Sequence, residues 1–276
     1  MKKITFITGS LMGALALAST SANVVPGYSQ RYEAATLSGT TLANGEIFAD
    51  SVDEGADGKA IGSFDLTQTT PNGSQAITNT GEGKSIDFSR NIAILGAYTI
   101  QIVVRVDSGN VDGRQGPIGF AENAGYGGVF AGINADEYSN NRAVGSIVRG
   151  GNLGGIDKPG MLEAKTTRTF ESGTWGIYTI VVDPTADNQL TATFDRLSDG
   201  SNIFTLTRSL SGNTNDVTSI AITGRLFGGE MGASAADRTD EFRGAIADIV
   251  IYDSALDTND LETNKAAFIS LFQTAL

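Results

Sequence analysis

From Tyr98 to Val106 the chain alternates almost without a break. Tyr98, Ile100, Ile102, Val104 and Val106 fall on one side of an extended backbone, and Thr99, Gln101, Val103 and Arg105 fall on the other. A period of two held over nine residues predicts a half-buried β-strand. Residues 177–182 carry β-branched side chains on both faces and stop at Asp183-Pro184, the pattern of a strand buried on two sides. Residues 190–194 and 203–207 follow, separated by Ser198-Asp199-Gly200-Ser201, and extend that strand into a meander of hairpins. Residues 217–223 and 245–252 predict two more strands. The second is apolar at nearly every position except Asp248, which predicts a central place in its sheet.

A helical period follows the last strand. Asp257 or Thr258 is placed to cap it, Asp260 and Glu262 fall in its first turn, and Leu261, Phe268, Ile269 and Phe272 form an apolar stripe. The expected place for such a helix is over an edge or end of the sheets, with the stripe as core contact. The 35 glycines and 5 prolines, with frequent Asn, Asp, Ser and Thr, supply turns between short extended segments, as in a sandwich or barrel. No composition shift or fixed-period repeat divides residues 23–276. The glycine-rich stretch 107–141 still holds apolar pairs such as Val129-Phe130 and reads as loops and short strands of one domain.

The first residues change the picture of where this domain works. Lys2 and Lys3 precede an apolar run over residues 4–18 and the small residues Ser19-Thr20-Ser21-Ala22, which reads as a secretory signal peptide over residues 1–22. Its apolar part is shorter than the roughly 20 residues that span a bilayer, and no later segment approaches that length. The expectation is an exported protein, secreted, at the cell surface or periplasmic, without membrane insertion. Losing Lys2 and Lys3 takes the net charge from -12 to -14, which argues against nucleic acid as a partner. With no cysteine, stability must come from packing, and the chain is long enough to bury a large core. With no histidine, the usual general base near neutral pH and the commonest transition-metal ligand are missing.

Four segments, taken in order, carry a family likeness. They are Gly83-Lys84-Ser85-Ile86-Asp87-Phe88, Tyr98-Thr99-Ile100-Gln101-Ile102, Gly173-Thr174-Trp175 with the strand after it, and a closing stretch with Phe242, Gly244, Ile246, Ile249, Ile251, Tyr252, Leu256 and Leu261. Over residues 64–272 the chain resembles the laminin G-like members of the concanavalin A-like lectin and glucanase superfamily. The resemblance implies an all-β fold, a two-sheet antiparallel β-sandwich (jelly roll) with a short C-terminal helix. It also implies a calcium ion near the sandwich rim. Because that superfamily holds lectins, adhesive modules, hydrolases and lyases, the site residues must decide the function.

Glucanases of this fold carry Glu-x-Asp-x-x-Glu on one strand, which sets two carboxylates about 5 Å apart. That spacing does not occur here, and the His and Tyr pair of related lyases lacks its histidine. Glu230, Asp237, Asp240 and Glu241 lie among Gly and Ala and read as loop acids, so no catalytic residue is assigned. The stretch at residues 81–85 ends like a phosphate-binding loop, but Thr78 stands where that motif needs glycine. The glycines of residues 125–132 read as turns and close strand packing. Hard oxygen ligands for calcium are offered by Asp107, Asn110 and Asp112, and by Asp240 with Glu241, all of which also suit ordinary turns. For sugar, which takes an aromatic platform beside amides and carboxylates, Tyr126 and Tyr138 are the candidates, with Asn134 and Asp136 nearby. The sequence thus predicts a non-catalytic module that binds an extracellular glycan or surface protein, assisted by calcium. The alternatives are a polysaccharide-degrading enzyme of the same fold, or a structural envelope or matrix protein assembling through sheet edges.

Overall fold

The computed structural model describes residues 23–52, 57–81, 83–88, 93–95, 97–107, 114–122, 127–135, 143–149, 161–163, 173–183, 185–186, 190–208, 219–221, 223–227 and 242–273. The strands of its first part are β1 (Gln30–Glu33), β2 (Thr41–Leu42), β3 (Ile47–Phe48), β4 (Gly58–Ile61), β5 (Phe64–Asp65), β6 (Ile77–Asn79), β7 (Ser85–Phe88), β8 (Ala93–Leu95) and β9 (Tyr98–Val106). The middle supplies β10 (Arg114–Glu122), β11 (Gly127–Ala135), β12 (Ala143–Arg149) and β13 (Met161–Glu163). Then follow β14 (Thr174–Val182), β15 (Leu190–Arg196), β16 (Asn202–Arg208), β17 (Ser219–Ala221), β18 (Thr223–Leu226), β19 (Gly244–Tyr252) and the helix α1 (Thr258–Phe272).

Two antiparallel sheets stack on each other. One runs β16-β15-β14-β9-β19-β6-β5-β2, with β1 also paired to β19, and the other runs β13-β12-β11-β10-β18-β7-β4-β3. The fold is therefore an all-β sandwich with a C-terminal helix, as the family resemblance implies. The segment read as one strand over residues 217–223 differs. It divides into β17, which pairs with β8 in a separate ribbon, and β18, which enters the eight-stranded sheet between β7 and β10. Two sets of partners pull the segment apart.

Between the sheets, Tyr32, Ile100, Ile102, Tyr178, Phe194, Ile249 and Ile251 meet Phe48, Ala60, Ile86, Phe88 and Leu226 in one buried cluster. The Tyr32 ring lies 5.6 Å from that of Phe48 and 4.9 Å from that of Phe88, closing one side of the core. Asp50 fastens the same side: its carboxylate accepts from the Arg31 N–H at 3.0 Å, and the Ser51 N–H donates to the Arg31 carbonyl at 2.8 Å.

The strand β9 is buried on both faces and not on one. The reason is α1, which lies on the outer face of the nine-stranded sheet and not over an edge. Val103, Ile177, Ala245, Ala247 and Val250 leave an apolar strip there, and Ala267, Phe268 and Phe272 cover it. Asp257 caps α1 by accepting from the Asp260 N–H at 2.9 Å. Glu262 falls beyond the first turn and accepts from Lys265 at 2.6 Å. Beneath the helix sits a buried polar network. Asn264 Nδ2 donates to Gln101 Oε1 at 2.7 Å and to the Tyr252 hydroxyl at 2.9 Å, while its Oδ1 accepts from the Val25 N–H at 2.6 Å. Tyr252 donates onward to the Val25 carbonyl at 2.8 Å. The N-terminal segment from Asn23 into β1 and the C-terminal helix are thereby tied together on one face.

Candidate functional site

The sandwich has two outer faces, and the helix lies on that of the nine-stranded sheet. On the nine-stranded sheet, α1 and the N-terminal segment cover the centre, and the polar groups beneath them are engaged with each other. Arg31 donates to Asp248 at 2.8 and 3.4 Å, and to Glu33 at 3.0 Å. Asp248 is fully buried; burial pushes its carboxyl up to about 6, against the pull of Arg31. Asp195 is also raised by burial and accepts from Asn202 at 2.9 Å. These carboxylates hold the fold.

On the eight-stranded sheet the register settles which residues share a face. Ala60, Ile86 and Leu226, all buried in the core, lie in one row that continues through Ile118, Ala131, Val148 and Leu162. Paired residues of antiparallel neighbours share a face, and successive residues alternate, so the adjacent row belongs to the outer face. That row crosses all eight strands: Ile47, Lys59, Asp87, Arg225, Gly119, Phe130, Arg149 and Met161. Ile47 and Lys59 at its near end are exposed, as the assignment requires.

Phe130 holds a distinctive place in this row. On its own strand the same-face positions beside it are Gly128 and Gly132, and across the pair with β10 it faces Gly119, next to Ala121. An aromatic position on a floor of glycine and alanine is what a planar apolar ligand face needs, since glycine brings no side chain to compete for the space beside it. Arg149 is the paired position on β12, and Arg225 is the position beyond Gly119 on β18. The row therefore combines one aromatic position with cationic positions on both sides.

The residues singled out from sequence are placed differently. Asp107 is bound at both oxygens by Arg105, whose Nε and terminal nitrogen each donate at 2.8 Å, and the same guanidinium lies 5.6 Å from the Trp175 ring. Asn110, Asp112, Asp240 and Glu241 lie outside the described residues, as do Glu230 and Asp237. Among the described residues no group of three acidic side chains is placed to hold a metal. Asn134 lies in β11, opposite Arg114. Tyr126, Asp136 and Tyr138 lie outside the described residues. Trp175 is half-buried and packs against the cluster beneath α1.

The sequence matches no protein-family profile and no curated protein, so the laminin G-like resemblance has no support from that side. The fold does have solved counterparts. The chain is similar to Trypanosoma rangeli sialidase, with TM-score 0.54 and 18% identity over 94% of this chain and 37% of that one. It is also similar to botulinum neurotoxin type C, with TM-score 0.51 and 13% identity over 85% of this chain and 52% of that one. Domain 4 of a GH43 extracellular arabinanase from Geobacillus stearothermophilus is matched at TM-score 0.49 and 12% identity, over 90% of this chain and 98% of that domain. The chain spans about half of the neurotoxin structure and little more than a third of the sialidase. At these identities the likeness is one of fold.

Proposed function

We propose that this chain is an exported, non-catalytic module that binds glycan on the outer face of its eight-stranded sheet. The observation that carries the reading is the backbone register that lines the Phe130 position up with Gly119, Arg149 and Arg225. An aromatic face covers the C–H surface of a sugar ring, and flanking guanidinium groups meet its oxygens. Two fold neighbours support the reading without deciding it. Cell entry of botulinum neurotoxin type C is dependent upon interaction with two ganglioside molecules, and the sialidase was solved with 2,3-difluorosialic acid as a covalent intermediate. Export rests on the leader-like residues 1–22 and sets an extracellular glycan as the partner.

Titration of the purified chain against a panel of polysaccharides tests this. Binding to at least one class is expected, and Phe130→Ala should weaken it by about tenfold or more while the unfolding temperature stays unchanged. Retention of full affinity by Phe130→Ala would remove this face from the account.

A further inference from the structure

The first described residues are held by partners that follow them far along the chain. Val24 is buried, 3% exposed, in the cluster beneath α1 that contains Ala267, Phe268 and Phe272. The next residue is engaged at both of its backbone groups. The Val25 N–H donates to Asn264 Oδ1 at 2.6 Å, 239 positions away, and the Val25 carbonyl accepts from the Tyr252 hydroxyl at 2.8 Å, 227 positions away. Ser29 then joins β19, donating to the Ile251 carbonyl from its N–H at 2.8 Å and from its hydroxyl at 3.1 Å. Only the exposed Asn23 separates the buried Val24 from Ala22, where the leader read from the sequence ends.

We infer that docking of residues 23–25 closes the leader-cleavage site between Ala22 and Asn23, so that removal of the leader precedes the closure of the N-terminal segment on α1. The inference rests on reading residues 1–22 as an export leader and adds an order of events to it. Proteolysis requires the backbone beside the scissile bond to be free of burial and of hydrogen bonds. In the docked segment the second residue after that bond is buried and the third has neither backbone group free. Freeing them would strip partners from Asn264 Oδ1 and from the Val25 N–H and carbonyl beside an apolar cluster, which is costly. Both partners of Val25 lie in β19 and α1, so the segment has nothing to dock on until the chain has grown past Asn264. The step itself is hydrolysis by a leader peptidase. The bond from the Ala22 carbonyl carbon to the Asn23 nitrogen breaks, the hydroxyl of water goes to the carbonyl, and its remaining hydrogen goes to the new amine. Once docked, the new end is withheld from further trimming by the same contacts.

The experiment uses the whole chain with its leader and a purified leader peptidase in detergent micelles. One sample is diluted from denaturant directly into the peptidase, and the other refolds before the peptidase is added. Mass spectrometry should find Asn23 as the new first residue in the fresh sample, and the refolded sample should be cut at least about tenfold more slowly, since cleavage of a folded chain follows the population of its open form. Asn264→Ala and Tyr252→Phe should each speed cleavage of the refolded chain by about tenfold without changing the fresh one. Tyr252→Phe keeps the ring and removes only the hydroxyl, so it carries the test even where Asn264→Ala does not fold. Equal rates in the two samples, both ending at Asn23, overturn the inference and leave the leader reading intact. Slow cleavage of the refolded chain that Tyr252→Phe does not relieve also overturns it, because the protection then comes from elsewhere. No cut between Ala22 and Asn23 in either sample overturns the leader reading and the inference with it.

Discussion

Asp248 shows how one residue departs from its pattern for a physical reason. The apolar run at 245–252 predicts a central strand, and β19 is central, yet an acid stands in its middle at a bulge where the register with β9 shifts. It survives there because β1 brings Arg31 beside it. Its carboxyl titrates at about 6 in the folded chain, against an ordinary 3.8, with burial as the main cause. Folding therefore takes up a proton between those values. The favourable contribution is fully present below about 3.8 and is lost as pH rises through about 6. It amounts to about 3 kcal/mol at most. Asp195 shifts in the same direction, but it is common to wild type and variant and cancels in their difference. The lowered acids Asp65, Asp183 and Asp199 act only below their ordinary value. The unfolding temperature of wild type relative to Asp248→Asn should therefore fall from about pH 4.5 to about pH 7. A difference that stays flat over that range would show that Asp248 does not titrate there.

At the scale of elements, α1 and the N-terminal segment depend on one side chain. Asn264 gives no hint of this in the sequence, since a polar residue between Thr263 and Lys265 reads as solvent-facing. The partners that bury it come from Gln101 and from Val25, the latter 239 positions away, and no local pattern encodes such a contact. Asn264→Ala strips the partners from the Gln101 amide oxygen and the Val25 N–H in a dry setting. A loss of about 3 kcal/mol is expected in urea unfolding, with faster hydrogen exchange at Val25. A loss below about 1 kcal/mol would mean that water replaces the network. What the sequence does make legible is the strands: β9 agrees residue for residue with its alternation, and the meander β14-β15-β16 with its turn. Alternation reports which faces are apolar but not what covers them, so the burial of the second face of β9 waits on α1. The outer row is within reach of the same reasoning. Gly128, Phe130 and Gly132 alternate with Val129, Ala131 and Ile133, a strand pattern masked by the glycines that suggest a turn. The partners Arg149 and Arg225 come from register, which the spacing alone does not give.

For the molecule as a whole, the non-catalytic part of the proposed function rests on the sequence and is open to a direct assay. Histidine is absent from the chain, and the fold-related glucanase spacing is absent with it. Incubation with neutral and acidic polysaccharides should release neither reducing ends nor unsaturated products. Turnover that vanishes on replacing Asp87 or Glu163, with the fold intact, would make the outer face an active site.

The docking of both chain ends on the nine-stranded sheet also governs how the module is displayed. Val25 is held by Asn264 of α1, and the helix runs on to Phe272, whose carbonyl accepts from the Asn72 N–H at 3.1 Å. Both ends of the described chain thus lie on one side of the sandwich, and the row through Phe130 lies on the other, beyond a second sheet about 10 Å away. Anything fused or tethered through either end attaches behind the module. A short tether at either end then turns the nine-stranded sheet toward the support and the outer row of the eight-stranded sheet away from it, so immobilising the protein closely through its ends should leave that row accessible.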